Sequence, residues 1–193
     1  MAQYSLQPGT LNSFGLMAKT NNQNQCCFSM EIHEKFMAKA IALSEQNLRT
    51  LNGGPFGALI VRDGKILSAE ANSVTQDCDP TAHAEINAIR QAAKKIGKAD
   101  LSGCTLYTSA EPCPMCLSAI YWSNIKQVYY GNTRTDAEWA GFGDQFILDA
   151  LKEPIEKQPI AFERIMPGEA IKAFEQWRAG GQMLEDKVKD GSL

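Results

Sequence analysis

Apolar residues recur along this chain with two different periods. From Glu31 to Leu48, Ile32, Phe36, Ala40 and Leu43 fall at helical spacing with Glu34, Lys35 and Lys39 between them, which predicts an amphipathic helix. Gly53, Gly54 and Pro55 end it. The stretch FGALIVRDGKILSAEANSV then reads as two short strands joined by Asp63-Gly64, a pair suited to the positive φ angles of a two-residue hairpin turn. Asp79-Pro80-Thr81 opens a second helix, in which Ala82, Ile86, Ile89, Ala93 and Ile96 form one stripe before Gly97 stops it. A buried strand is expected over Cys104 to Ser109, a helix over Pro114 to Ser123 and a strand over Lys126 to Gly131.

Beyond these, Thr135 with Glu138 has the spacing of a capping box, and Asp144 to Leu151 reads as helix. Ile160 to Ile165 reads as a fifth strand, and Ala170, Ile171, Phe174 and Trp177 mark a last amphipathic helix before a polar tail. Alternating helices and strands predict an α/β fold: a three-layer α/β/α sandwich around a five-stranded mixed sheet. Residues 1–29 are rich in Asn, Gln, Ser and Gly and lack periodicity, so a flexible N-terminal extension is expected there, followed by a single domain over 30–193.

Composition narrows the function classes. At 193 residues the chain is too short for the roughly 250 residues typical of an eight-fold βα barrel. A formal net charge of -3 lacks the basic excess usual in nucleic-acid binders. No apolar run of about 18 residues is present to span a membrane. The six cysteines are irregularly spaced and no export signal precedes them, which predicts a cytoplasmic protein with reduced thiols.

Two of those thiols carry chemistry. Cys113 and Cys116, two residues apart at a helix start, can place both sulfurs on one metal ion, and the positive end of the helix favours their thiolates. His83 is the candidate third ligand. Three protein ligands leave the fourth tetrahedral position of a catalytic zinc site open for water. Two thiolates cancel the charge of the metal, so the water is less acidic than at an all-histidine site, and a neighbouring base becomes useful. Glu85 is that candidate. Its spacing from His83 suits a shared site only where side chains reach around an open helix start. The remaining cysteines form no second C-x-x-C pair, which argues against a closed structural zinc knuckle.

The segments Thr81-Ala82-His83-Ala84-Glu85 and Glu111-Pro112-Cys113-Pro114-Met115-Cys116 resemble the His-x-Glu and Pro-Cys-x-x-Cys signature of zinc-dependent nucleobase deaminases. With GGPFGA, AIYW and AGFGD, the chain from about Met30 to Gln176 is similar to the bacterial guanine deaminases built on the cytidine-deaminase fold. That resemblance implies one zinc ion per chain on His83, Cys113 and Cys116, with Glu85 as proton shuttle. It implies that Asn72 and the backbone N–H of Ala84 hold the base, that Phe56 and Trp122 line its pocket, and that Asp144 assists proton transfer. The reaction implied is hydrolytic: guanine and water to xanthine and ammonia. A homodimer with exchanged C-terminal segments is implied as well.

Plain structural roles stay open beside these. Glu85 could serve the helix dipole, Asn72 a turn, Asp144 a helix cap, and Phe56 and Trp122 the core. His33, outside the motifs, is expected at the surface. A guanosine-type nucleoside deaminase, a tRNA adenosine deaminase and a non-catalytic zinc-stabilised binding module are the competing functions. The net charge and the free-base motifs favour a small-molecule substrate over nucleic acid.

Overall fold

The computed structural model describes residues 22–190, with side chains over 30–180. Residues 1–21, most of the expected extension, lie outside the described residues. Contacts along the chain divide it into two compact units, one ending at Asp144 and the other beginning at Gln145.

The first unit opens with α1 (Asn22–Thr50), so the helix expected from Glu31 starts earlier. Strands β1 (Gly57–Arg62) and β2 (Lys65–Ala71) follow as an antiparallel hairpin. Its turn is Asp63-Gly64, with φ of 50° and 71°, the left-handed pair that the sequence pattern calls for. A short helix, α2 (Val74–Asp77), precedes α3 (Ala84–Ile96); then come β3 (Thr105–Ala110), α4 (Pro114–Trp122), β4 (Gln127–Asn132) and α5 (Arg134–Trp139). The strands form one sheet in the order β2-β1-β3-β4, antiparallel except for the β3/β4 pair.

Each face of the sheet has its own core. Ala58, Ile60 and Leu106 pack with Ala84, Ala88 and Ala92 of α3 and Ile120 of α4 on one face. Leu59, Val61 and Tyr107 pack with Ala40, Phe36 and Leu43 of α1 on the other. Alternate residues of a strand point to opposite faces, which is why β1 and β3, covered on both sides, are buried almost throughout. His33 belongs to the α1 face and is not a free surface residue. Its Nδ1 lies 2.6 Å from the Tyr107 hydroxyl and its Nε2 3.2 Å from that of Tyr129.

The second unit contains α6 (Gln145–Lys152), a 3-10 turn (Ile155–Lys157) and α7 (Pro167–Asp190). The fifth strand expected at Ile160 to Ile165 does not form, and the sheet has four strands among the described residues. A strand is held by hydrogen bonds to a neighbour, and this segment pairs with no strand among the described residues. Ile160, Phe162 and Ile165 are exposed. The tail expected after Arg178 continues as helical backbone in α7.

Candidate functional site

Two helix starts build the site. Ahead of α3 the chain turns at Asp79, whose Oδ1 accepts bonds from the backbone N–H and the hydroxyl of Thr81, each at 2.7 Å. That turn delays the helix, so His83 is the residue before its first turn, with extended φ and ψ of -68° and 154°. At α4, β3 runs into Glu111 and Pro112, and Cys113 takes the equivalent place with φ -64° and ψ 168°, followed by Pro114 at the position where proline suits a helix. His83 is therefore the N-cap, with extended backbone angles although its carbonyl accepts the first helical bond from Asn87 N–H, and the mid-helix spacing that would turn it away from Glu85 does not apply.

The two starts meet. His83 Nδ1 is 3.5 Å from Cys113 Sγ and 3.6 Å from Cys116 Sγ, and all three ligand atoms lie within 4.8 Å of one another. Ordinary zinc–sulfur and zinc–nitrogen bonds at a tetrahedral angle separate S and N by roughly 3.6 Å. The donor set and its spacing thus fit a zinc ion bound through His83 Nδ1 and both sulfurs. The three groups are electrostatically coupled. Cys113 is pulled down to about 4, first by the hydrogen bond from Cys116 and then by His83. That shared bond and burial push the Cys116 thiol up, while the contact with Cys113 raises the His83 imidazole.

Glu85, in the first turn of α3, is 6% exposed and lies beside Cys116. Burial pushes its carboxyl above the usual carboxylate range. The hydroxyl of Thr108, on β3, donates to Glu85 Oε1 at 3.2 Å. Thr108 reads in sequence only as one more strand residue. Ala84 is fully buried at the first helical position, where its N–H has no carbonyl to bond within the helix.

Asn72 follows β2 and is buried. It is tied to the His83 segment through its neighbour, since Ser73 N–H donates to Ala82 O at 2.9 Å and Asn87 Nδ2 reaches both Ala71 O and Ala82 O. Phe56 is half-buried, and the ring of Phe142, from the AGFGD segment, meets it edge-on at 5.0 Å. Phe142 is partly exposed and carries no periodicity of its own in the sequence. Trp122 is the last residue of α4, about 9 Å along the helix axis from Cys116, and 87% exposed. Within one chain it stands apart from the ligand trio.

Asp144 reaches the site indirectly. Its carboxylate accepts from Arg134 Nη1 at 2.5 Å, while Arg134 Nη2 donates to Glu111 Oε1 at 3.2 Å and to Pro112 O at 3.3 Å. The backbone N–H of Arg134 donates to the other Glu111 oxygen at 3.0 Å. One guanidinium thus joins the AGFGD segment to the residues immediately before Cys113, its two terminal nitrogens each taking a different carboxylate. No sequence pattern announces it.

Residues 30–132 match the model of the cytidine and deoxycytidylate deaminase zinc-binding region. Guanine deaminase of Bacillus subtilis is 47% identical over 146 residues, covering 76% of this chain and 94% of that protein. Its X-ray structure superposes with a TM-score of 0.74. A guanine deaminase structure from Nitrosomonas europaea is 29% identical with a TM-score of 0.55, over 67% of this chain and 80% of that one. A tRNA-specific adenosine deaminase of Aquifex aeolicus is 46% identical over 76 residues, 39% of this chain and 50% of that protein. With residues 30–132 matched to that zinc-binding region and 47% identity over most of its length to a guanine deaminase, this chain belongs to the cytidine and deoxycytidylate deaminase family.

Proposed function

We propose that the protein is a zinc-dependent hydrolytic deaminase of purine bases that converts guanine and water to xanthine and ammonia. The observation that carries this reading is the buried Glu85 carboxylate beside three ligand atoms within 4.8 Å of one another. The extent of similarity to a guanine deaminase supports the substrate. His83, Cys113 and Cys116 would hold the metal. When bound, zinc supplies the Lewis acidity that makes water a nucleophile near neutral pH.

Glu85 does the proton work. It takes a proton from the attacking water and gives it to the ring nitrogen beside the amine-bearing carbon, then carries the second proton of that water, from the new hydroxyl on the carbon, to the amine, which leaves as ammonia. Thr108 occupies Oε1, which orients the carboxylate and leaves Oε2 for transfer. Ala84 N–H and the Asn72 carboxamide anchor the base, with Phe56 and Phe142 against its ring. Asp144 acts from the position in which Arg134 holds it.

The exposed apolar residues support a homodimer with exchanged C-terminal segments. Among the described residues, Ile160, Phe162 and Ile165 form a strand-patterned segment that pairs with no strand, β4 is a sheet edge, and Tyr121 and Trp122 of α4 are exposed. Among the described residues no helix is long and apolar enough to cross a membrane. A thiolate-bearing site suits the reducing cytoplasm.

The test is ammonia release by zinc-loaded protein from guanine, guanosine, adenine, cytosine and a tRNA anticodon stem. Release from guanine is expected, and release only from another member of the set would replace the reading. Light scattering should give twice the chain mass. A variant ending at Lys152 that remains dimeric would count against exchange.

A further inference from the structure

Asn47 continues the apolar stripe Phe36, Ala40 and Leu43 by one more step, and a polar residue in that place needs a partner. It has three. At 2% exposed near the end of α1, its Nδ2 donates to Gly54 O at 2.7 Å and to Asn72 O at 2.8 Å, while its Oδ1 accepts from the Thr50 hydroxyl at 3.2 Å. Both amide hydrogens are spent on main-chain carbonyls, one in the GGPFG loop and one at the residue assigned to the base.

Asn72 is itself 5% exposed. Its Oδ1 accepts from the backbone N–H of Gly54 and of Val74, each at 3.2 Å, and its own N–H donates to Phe56 O at 3.0 Å. Backbone N–H groups only donate, so the amide orientation is settled by chemistry: oxygen toward the loop, NH2 left over. A flipped carboxamide would set donor against donor. A Cβ on Gly53 would overlap Asn72 Oδ1, so the loop closes this tightly only with glycine there. The remaining NH2 makes no hydrogen bond among the described residues. No side-chain polar atom there is both inaccessible and unpaired, so this group borders open space.

We infer that Asn47 is the positioning residue for Asn72, and that together they make the Asn72 subsite donor-only, selecting a purine that presents a ring nitrogen or an exocyclic oxygen there. This rests on the reading in which Asn72 faces the base. Asn47 acts through the main chain: it fixes Gly54 and Asn72 relative to each other, and that spacing lets Gly54 N–H hold the carboxamide oxygen. A substrate bearing hydrogen at the contacted atom would leave two donors opposed in a buried place, the kind of mismatch that polar pockets reject strongly.

The test is a double-mutant cycle on full-length, zinc-loaded protein carrying Glu85→Gln, with the Kd for guanine as readout and zinc content as control. Asn47→Ala should weaken binding about ten-fold, as expected for a displaced buried hydrogen bond. Asn72→Ala should weaken it further, and the double variant should match Asn72→Ala alone. In the active background, Asn47→Ala should raise KM with kcat within about two-fold. Should Asn47→Ala not fold, Asn47→Ser keeps one donor and is read in the same cycle. Asn72→Asp, which keeps the inward oxygen and exchanges the outward donor for an acceptor, should bind at least as poorly as Asn72→Ala. Independent effects of the two sites, an unchanged Kd in Asn47→Ala, or retained affinity in Asn72→Asp would each overturn the inference. Wild-type protein that binds guanine with this pattern but releases no ammonia would overturn only the proposed reaction.

Discussion

Helices α3, α4 and α5 each start from a residue in extended conformation, and they use that residue in two ways. At α5, Thr133 accepts from the N–H of Asp136 at 3.2 Å and Asp136 answers by accepting from the N–H of Thr133 at 2.8 Å, a complete capping box. At α3 and α4, His83 and Cys113 have the same backbone shape but make no side-chain cap. Their side chains turn to each other instead. An N-cap is worth about 1 kcal/mol, so two of the three helices forgo it and leave first-turn N–H groups and the positive helix end directed at the site. The same local geometry can therefore serve stability or chemistry. What separates the two uses is which side chain occupies it.

That contrast can be broken experimentally, beginning with its functional half. Cys113→Ser, or removal of metal by a chelator, should abolish ammonia release. Metal analysis should show less than one zinc per chain, and zinc retained at full stoichiometry would remove Cys113 from the ligand set. Glu85→Gln should keep zinc and lose about 10² to 10⁴ in kcat, the usual range for a general acid–base group. Activity within a few-fold of wild type would return Glu85 to a helix-dipole role. Arg134→Ala should lower kcat by about ten-fold or more, with no further loss when combined with Asp144→Asn, because each releases the same ion pair. Multiplying effects in the steady-state rates would show that Arg134 acts only on the Glu111 loop. The smallest effect belongs to α5: Thr133→Ala should cost about 1 kcal/mol in denaturant unfolding and leave kcat untouched. A drop in kcat there would mean that the two kinds of helix start are not separable.

Much of this arrangement was legible in the chain because it is written at short range. The hairpin turn, the stripes of α1 and α3 and the C-x-x-C pair each depend on residues a few positions apart. The capping box shows how such reading slips. Thr135 and Glu138 have the right spacing, but Thr133 and Asp136 have it too, and Thr133, with its extended backbone, is the one that forms the box. His33 was misplaced for a different reason: its partner Tyr107 is 74 residues away, on a strand that must first pack against α1. The strand pattern over Ile160 to Ile165 is present in the residues, yet a strand exists only where another backbone offers its hydrogen bonds.

By itself the amino-acid sequence determined the chemistry: a histidine, two cysteines and a glutamate at spacings that suit one zinc ion and one proton shuttle, on an alternating α/β scaffold. Ligand character and periodicity are properties of residue type and local order. The tertiary structure alone decided how that chemistry is aimed. Thr108 against Glu85, Arg134 between Asp144 and Glu111, and Asn47 behind Asn72 are contacts between residues 23, 10 and 23, and 25 positions apart, respectively. Such pairings carry no local signature, because only the folded chain brings these side chains to partners on other elements.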